Sequence, residues 1–171
     1  MSLQNGYGNS PEFLYSLRRF EDLIEDGKIR DIATYLESDP KLVNGFDSLI
    51  RVGSAKFPMS PIQIACFFNR ESIVDLLLKG GADVRFITPN GYSCIHIAII
   101  SRKIKMLQAF MQHDIDLEIA TSHGFTPLLL AIDLNDVKMC ELLIERGANQ
   151  NWKNNKGFTF FWKRGILIVV S

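Results

Sequence analysis

The sequence predicts an all-α solenoid of stacked helix–turn–helix units with short β-turn fingers, and three observations support this fold class. Gly91, Gly124 and Gly157 each begin a Gly–aromatic–hydroxyl tripeptide, and consecutive copies lie 33 residues apart. The segment LLLKGGADVR at 76–85 matches LLIERGANQN at 142–151. Between these landmarks, apolar residues recur with helical spacing. One such helix pair cannot bury its apolar face alone, so neighbouring units have to stack.

The composition is typical of one soluble domain and argues against a nucleic-acid partner. The chain has 171 residues, and its 19 basic side chains balance 19 acidic ones without any basic stripe, which argues against nucleic-acid binding. The chain has three widely spaced cysteines, Cys66, Cys94 and Cys140, and an odd number does not suit a framework of disulfides. We therefore expect free thiols in a reducing compartment. The first residues do not resemble a signal peptide, and no apolar run reaches the ~20 residues of a membrane span. We expect a monomeric protein of the cytoplasm or nucleus.

An atypical helix pair at 12–45 follows a flexible segment at 1–11. Apolar residues recur with helical spacing in both halves of the pair, with a break at Gly27 and an end at Pro40. We expect the charged residues of the first helix to face water, namely Arg18, Arg19, Glu21, Asp22 and Glu25. This unit would cap the N-terminal end of the stack.

The connection after this unit is longer than the period requires. Gly27 corresponds to Asn69, which lies 42 residues later, whereas the later repeats are spaced by 33. The extra residues fall in a loop rich in Gly, Ser and Pro, and we assign an extended finger loop to 46–57. Two interpretations stay open. The loop takes part in binding, since insertions in stacked repeats often lie on the binding face. Or it is a tolerated surface extension, since long surface loops cost little stability.

Three repeats follow, at 58–87, 88–120 and 121–153. Ser60 and Thr126 each precede a proline, which predicts helix N-caps with proline in the first turn. A small residue recurs at one position of the first helix, namely Ala65, Ala98 and Ala131. Gly81 and Gly147 lie where a helix end needs a positive φ angle, and we expect Asp114 to take that conformation in the middle repeat.

The 33-residue period, with the Thr126-Pro127-Leu128 start and the Gly147-Ala148 end of its best copy, resembles the ankyrin repeat. The resemblance covers about residues 12–159. It implies that a protein partner binds at the finger tips and at the exposed ends of the first helices. The residues at those positions that we expect to bind the partner are Phe57, Met59, Phe67, Phe68, Tyr92, Ile100, Ser101, His123, Phe125, Asp133 and Leu134.

The expected function is therefore a non-catalytic interaction module or scaffold. The alternative is a targeting fragment of a larger protein (a kinase, a ubiquitin-ligase adaptor or a channel) that is truncated after residue 159. Exposed apolar stripes mark interaction sites and favour the first interpretation.

No combination of residues predicts a catalytic site, a cofactor or a metal site. The resemblance implies that His96 bonds to the backbone of the adjoining turn. Cys94 lies two residues before His96, but no second ligand pair accompanies them as a zinc site would require. No acid that could orient His96 for nucleophilic catalysis is identifiable either.

Residues 154–159 begin a further repeat, and the apolar tail at 160–171 does not continue it. Arg164 lies where earlier repeats have Ala98 and Ala131, and the adjacent Gly165 disfavours a helix. The tail is a C-terminal cap, a segment that touches a membrane or partner, or the result of an interrupted repeat. We favour the interruption, because repeat arrays need a polar terminal cap.

Overall fold

The computed structural model describes residues 11–45, 59–153, 159–163 and 166–170. The extended finger loop assigned to 46–57, including Phe57, and the N-terminal segment before Pro11 lie outside these residues. The chain divides into two compact units, Met1–Asp83 and Val84–Ser171.

The described residues of the first unit form four α-helices and one 3₁₀ helix. The elements are α1 (Pro11–Asp26), α2 (Ile29–Ser38), the 3₁₀ helix (Pro40–Asn44), α3 (Pro61–Phe67) and α4 (Glu71–Lys79). Helix α1 packs against α2 and α3, and Leu17, Phe20 and Ile24 are fully buried. The predicted end at Pro40 is confirmed: the Asp39 side chain accepts a hydrogen bond from the Lys41 N–H at 3.1 Å, which starts the 3₁₀ turn.

One expectation for α1 is wrong. Glu21 was predicted to face water, but its side chain is only 3% exposed. Glu21 follows Leu17 by four residues and precedes Ile24 by three, so it lies on the buried face of the helix. Arg18, Arg19 and Asp22 are exposed as predicted, and Glu25 is partly exposed.

In the second unit, the part that the structure describes has four α-helices followed by a small sheet. The helices are α5 (Cys94–Ile100), α6 (Ile104–Phe110), α7 (Pro127–Asp133) and α8 (Val137–Glu145). Helix α5 packs against α6 and α7, and α7 packs against α8. Ala98 and Ala131 are fully buried in this packing, as the recurrence of a small residue predicted.

Three antiparallel strands follow α8, and the all-α prediction did not include them. They are β1 (Trp152–Lys153), β2 (Thr159–Lys163) and β3 (Ile166–Val170), in the order β1-β2-β3. Phe160 pairs with Trp152 on one side and with Val169 on the other. The β-branched and aromatic residues of this segment favour extended backbone over helix. The helical repeats therefore match the predicted fold class, and the C-terminal sheet is an addition to it.

The turn between the two helices of each repeat has the same backbone geometry throughout. Gly27, Asn69, Arg102 and Asn135 have φ angles of 75°, 59°, 55° and 53°. The N–H of the next residue then bonds to a carbonyl five positions back, in Lys28→Leu23, Arg70→Ala65, Lys103→Ala98 and Asp136→Ala131, at 2.8 to 3.0 Å. This shared geometry confirms that Gly27 corresponds to Asn69, on which the assignment of the longer connection rests.

The ends of the second helices differ between repeats. Gly81 and Gly147 have positive φ angles of 85° and 90°, as predicted. Asp114 does not adopt a positive φ angle, so the expectation for the middle repeat is wrong. An L-residue loses about 1–2 kcal/mol in that conformation, and α6 instead ends with a bond from the His113 N–H to the Phe110 carbonyl. The Arg146 guanidinium also donates to the Met111 carbonyl at 2.9 Å, which satisfies a terminal acceptor.

Gly91 and Gly147 allow a matched test of the repeat geometry. Both have positive φ angles, but a Cβ at Gly91 would lie 2.8 Å from the Ala120 carbonyl oxygen, whereas one at Gly147 would meet nothing within 4 Å. We expect Gly147→Ala to lower the free energy of unfolding by about 1–2 kcal/mol. Gly91→Ala should lower it by at least about 3 kcal/mol, because backbone has to move as well. Urea unfolding followed by circular dichroism measures both, and equal losses would contradict the close approach at Gly91.

Candidate protein-interaction surface

Two fingers of the second unit have the same hydrogen-bonded turn. In the first finger, the Thr88 N–H donates to the Tyr92 carbonyl at 2.9 Å, and the Tyr92 N–H donates to the Thr88 hydroxyl oxygen at 3.0 Å. Thr121 and Phe125 repeat both bonds at 2.9 and 3.2 Å. Both threonines are buried. Sequence reasoning missed their role, although their 33-residue spacing was a visible signal.

The two fingers also contact each other. The Ser122 N–H donates to the Asn90 carbonyl at 3.0 Å, and Gly91 lies against the backbone of Ala120 and Thr121. The turns are therefore held by backbone bonds within each finger and between them. Side chains at the finger tips project from a backbone that has little freedom left to lose on binding.

His96 links the first helix of one repeat to the finger of the next. Its Nδ1 atom accepts a hydrogen bond from the Ser93 N–H at 3.2 Å, and its Nε2 atom lies 3.0 Å from the Phe125 carbonyl oxygen. A ring that accepts at Nδ1 and faces a carbonyl at Nε2 carries its proton on Nε2, which defines the neutral tautomer. Burial lowers the pKa of His96 to about 4, although the bond to the Phe125 carbonyl opposes the shift. The predicted backbone bond from His96 is confirmed.

The third residue of the first helix caps that helix in two repeats. Gln63 precedes His96 by 33 residues, and its side-chain oxygen accepts a hydrogen bond from the Ser60 N–H at 3.0 Å. In the third repeat, the cap is the Thr126 hydroxyl, which accepts from the Leu129 N–H at 3.4 Å. The side chains of Gln63 and His96 thus fill the same role at the helix start.

The cysteines and histidines do not form a reactive cluster within the described residues. The buried cysteines Cys66, Cys94 and Cys140 are thiols outside any disulfide bond, and burial raises the pKa of the Cys140 thiol to about 12. A group of three or more His, Cys, Asp or Glu side chains that could hold a metal ion is not found in the described part of the chain. Among the same residues, no helix has the length and apolar character to cross a membrane.

The exposed ends of α5 and α7 occupy equivalent positions in consecutive repeats. Ile100 is 40% exposed, and Asp133 lies 33 residues later and is exposed. Arg102 connects the two helix ends, since its guanidinium donates to the Leu134 carbonyl at 2.9 Å and lies 3.6 Å from the Asp136 carboxylate. Ser101 and Leu134, which follow the two helices, are partly exposed.

The finger residues of the second unit differ in accessibility. His123 is exposed, and Tyr92 and Phe125 are half-buried. The Tyr92 ring packs edge-on against the His96 imidazole, with centroids 5.9 Å apart. One face of Tyr92 therefore belongs to the packing of the repeat and the remainder is accessible to solvent.

Three of the residues that the sequence predicts to bind a partner lie in the described part of the first unit. Phe67 is 36% exposed and Phe68 is half-buried, and their rings meet edge to face at 5.3 Å. Met59 is only 4% exposed, so the expectation that it belongs to the accessible surface is wrong. Met59 directly precedes the N-cap of α3, a position at which apolar residues turn inward onto the helix.

Sequence reasoning missed one exposed apolar residue beside the fingers. Ile87 is 43% exposed and directly precedes the buried Thr88. The residue 33 positions later is Ala120, so the repeat pattern itself gave no indication of an apolar surface at this position.

The buried neutral imidazole of His96 predicts a pH dependence of stability. Its folded pKa of about 4 lies below the ordinary value of 6.5, so the unfolded chain binds the proton more tightly. The neutral His96 side chain makes its full contribution to the free energy of unfolding above pH 6.5, and this contribution is lost as the pH falls through 6.5 towards 4. Between pH 7 and 4.5, we expect wild type to lose about 2 kcal/mol more unfolding free energy than His96→Gln, which keeps a capping acceptor.

Urea unfolding at the two pH values measures this difference. His113→Gln, at an exposed histidine of the same unit, is the control and should keep the wild-type pH dependence. Parallel pH profiles for wild type and His96→Gln would show that His96 is not buried in the neutral form.

Comparisons with known proteins agree with this geometry. A family model described as ankyrin repeats, in three copies, matches residues 43–154, more than half of the chain. Ankyrin repeat protein 14 of Vaccinia virus (strain Western Reserve) is 47% identical over 47 residues, which cover 27% of this chain and 20% of that protein. The ankyrin repeat domain-containing proteins OPG023 of Monkeypox virus and Cowpox virus (strain Brighton Red) are also 47% identical over 47 residues, and these cover 7% of each relative.

These matches span a fifth or less of the length of each viral relative. The family assignment therefore rests on the family match across residues 43–154, on the repeated finger turns and on the recurring helix pairs. The resemblance inferred from the 33-residue period is confirmed, and the chain belongs to the ankyrin-repeat family.

Proposed function

We propose that the chain binds a protein partner through the fingers and first-helix ends of the second unit. Ankyrin repeats are generally protein–protein interaction modules. The residues that would contact the partner in this unit are Tyr92, Ile100, Ser101, His123, Phe125, Asp133 and Leu134. Phe67 and Phe68 are the corresponding candidates in the first unit, and Phe57 stays a candidate from the sequence alone.

The observation that carries this proposal is the equivalent exposure of Ile100 and Asp133 beside two rigid fingers. An isoleucine that is 40% exposed at the end of a buried helix leaves apolar area for a partner to cover. The Arg102 bond to the Leu134 carbonyl holds the two helix ends in register. The partner would therefore meet a preorganised surface and lose little of its binding free energy to ordering.

We also propose that the role is non-catalytic, and the position of the buried His96 side chain supports this. Both ring nitrogens of His96 are engaged with backbone groups, and the ring is fully buried. A general acid or base has to reach a substrate proton, and His96 in this position does not. The three buried cysteines are thiols rather than disulfides, which supports our proposal that the protein works in a reducing, intracellular compartment.

Site-specific photocrosslinking tests the surface. A photoreactive phenylalanine analogue is placed at Ile100, at His123 and, as a matched control, at Val137, which is 38% exposed at the start of α8. We expect the same partner to be crosslinked from positions 100 and 123 and to be absent from position 137. Crosslinking of equal strength from all three positions would contradict the proposed surface.

The partner identified in this way then allows a quantitative test. Ile100→Ala should weaken its affinity by about tenfold, which corresponds to about 1.4 kcal/mol for one accessible apolar anchor. Val137→Ala removes a similarly exposed apolar side chain and should leave the affinity unchanged. Circular dichroism confirms that both variants are folded, and an unchanged affinity for Ile100→Ala would remove the helix end from the interface.

A further inference from the structure

A groove in the second unit lies beside the fingers and uses none of the residues of the proposed partner surface. It encloses about 370 Å³ between the chain that leads into the first finger and the chain that leads into the second. Its lining residues are Val84, Arg85, Ile87, Ser93, Asp114, Ile115, Asp116 and Ile119. This volume is at the small end of ligand sites in proteins (~300–1,000 Å³), so the groove fits one or two side chains.

The inner surface of the groove is apolar and partly accessible. Ile87 is 43% exposed, and Ile115 and Ile119 are half-buried. Val84 and Ser93 are buried at its base. Three isoleucines that share one open groove provide more apolar contact than isolated surface residues do, and a branched side chain that enters it would displace water from all three.

The charge at the groove is predominantly negative. The charged residues among its lining are the carboxylates of Asp114 and Asp116 and the guanidinium of Arg85, and both aspartates are exposed. Glu118 adds a third carboxylate on the same extended segment. The Asp116 carboxylate accepts the Glu118 N–H at 2.8 Å and the Glu118 carboxylate accepts the Asn149 N–H at 2.7 Å, so both side chains are held in place.

We propose that this groove binds a peptide segment of a protein partner in which a branched aliphatic side chain is flanked by lysine or arginine. The aliphatic side chain would fill the space between Ile87, Ile115 and Ile119. The flanking cations would lie near Asp114 and Asp116 and gain from the excess of negative charge. The site is separate from the finger and first-helix surface, so it does not depend on the proposed function.

Isoleucine-methyl NMR with defined peptides tests the groove. The probes are acetyl-Gly-Lys-Leu-Lys-Gly-amide and the same peptide with glutamate in place of both lysines. The Ile87, Ile115 and Ile119 methyl signals should shift with the lysine peptide, and the Ile100 signal should not. The glutamate peptide should bind at least about tenfold more weakly, and added NaCl should reduce this difference because the carboxylates are exposed.

Matched variants separate the apolar and charged contributions. Ile87→Ser should weaken binding of the lysine peptide by at least about tenfold, whereas Val137→Ser, at a similarly exposed apolar residue outside both surfaces, should leave it unchanged. Asp114→Asn combined with Asp116→Asn should abolish the preference for the lysine peptide, and Glu141→Gln, at an exposed carboxylate of α8 outside both surfaces, should preserve it. Methyl spectra of the free variants confirm their folding.

Three outcomes would overturn the proposal. They are shifts centred on Ile100 rather than on the groove, equal affinity for the two peptides, and no shift at millimolar peptide. Shifts at Ile100 would place the peptide on the finger and first-helix surface and thereby support the proposed function while refuting this groove.

Discussion

The hydrogen bond from the His96 imidazole to the Phe125 carbonyl oxygen couples two consecutive repeats in the second unit. It joins the start of α5 to the finger that precedes α7, and it does so from a fully buried side chain. The same ring accepts the Ser93 N–H, so one residue caps its own helix and fixes the next finger. Protonation of the ring would keep the Nε2–H that donates to the Phe125 carbonyl but would remove the Nδ1 acceptor of the Ser93 N–H, so the helix cap depends on the imidazole staying neutral. A buried donor left without a partner costs about 1–3 kcal/mol.

Three other contacts between repeats of the second unit are of the same kind, since a side chain bonds to the backbone of the neighbouring repeat. Arg102 donates to the Leu134 carbonyl, Arg146 donates to the Met111 carbonyl, and Glu118 accepts the Asn149 N–H. Backbone groups are present whatever the side chain, so these bonds do not restrict which side chains occupy the exposed positions of the neighbouring repeat. The finger tips and helix ends can therefore vary for recognition while the contacts that hold the repeats in register persist.

Much of this fold could be predicted because its determinants are periodic. The caps at Ser60 and Thr126, the glycines at 81 and 147 and the small alanines recur at fixed spacing and have local physical causes.

The predictions that were wrong concern positions where contacts with other parts of the chain determine the structure. Helical position buries Glu21, and Met59 is enclosed because it precedes a helix cap. The end of α6 avoids a positive φ at Asp114, and the three terminal strands depend on pairing with each other rather than on repeat register. The groove at Ile87 was not visible in the sequence, because it forms between two segments that the period treats as separate.

Hydrogen exchange in wild type and His96→Leu tests the coupling between repeats most directly. Leucine occupies the equivalent position 129 of the third repeat, so the substitution keeps an apolar side chain that the architecture accommodates. We expect the amides of Ile97 in α5 and of Gly124 and Phe125 in the finger to lose protection together, by about tenfold or more. Loss of protection confined to residues 93–97, with the finger unchanged, would show that His96 caps its own helix without holding the next repeat.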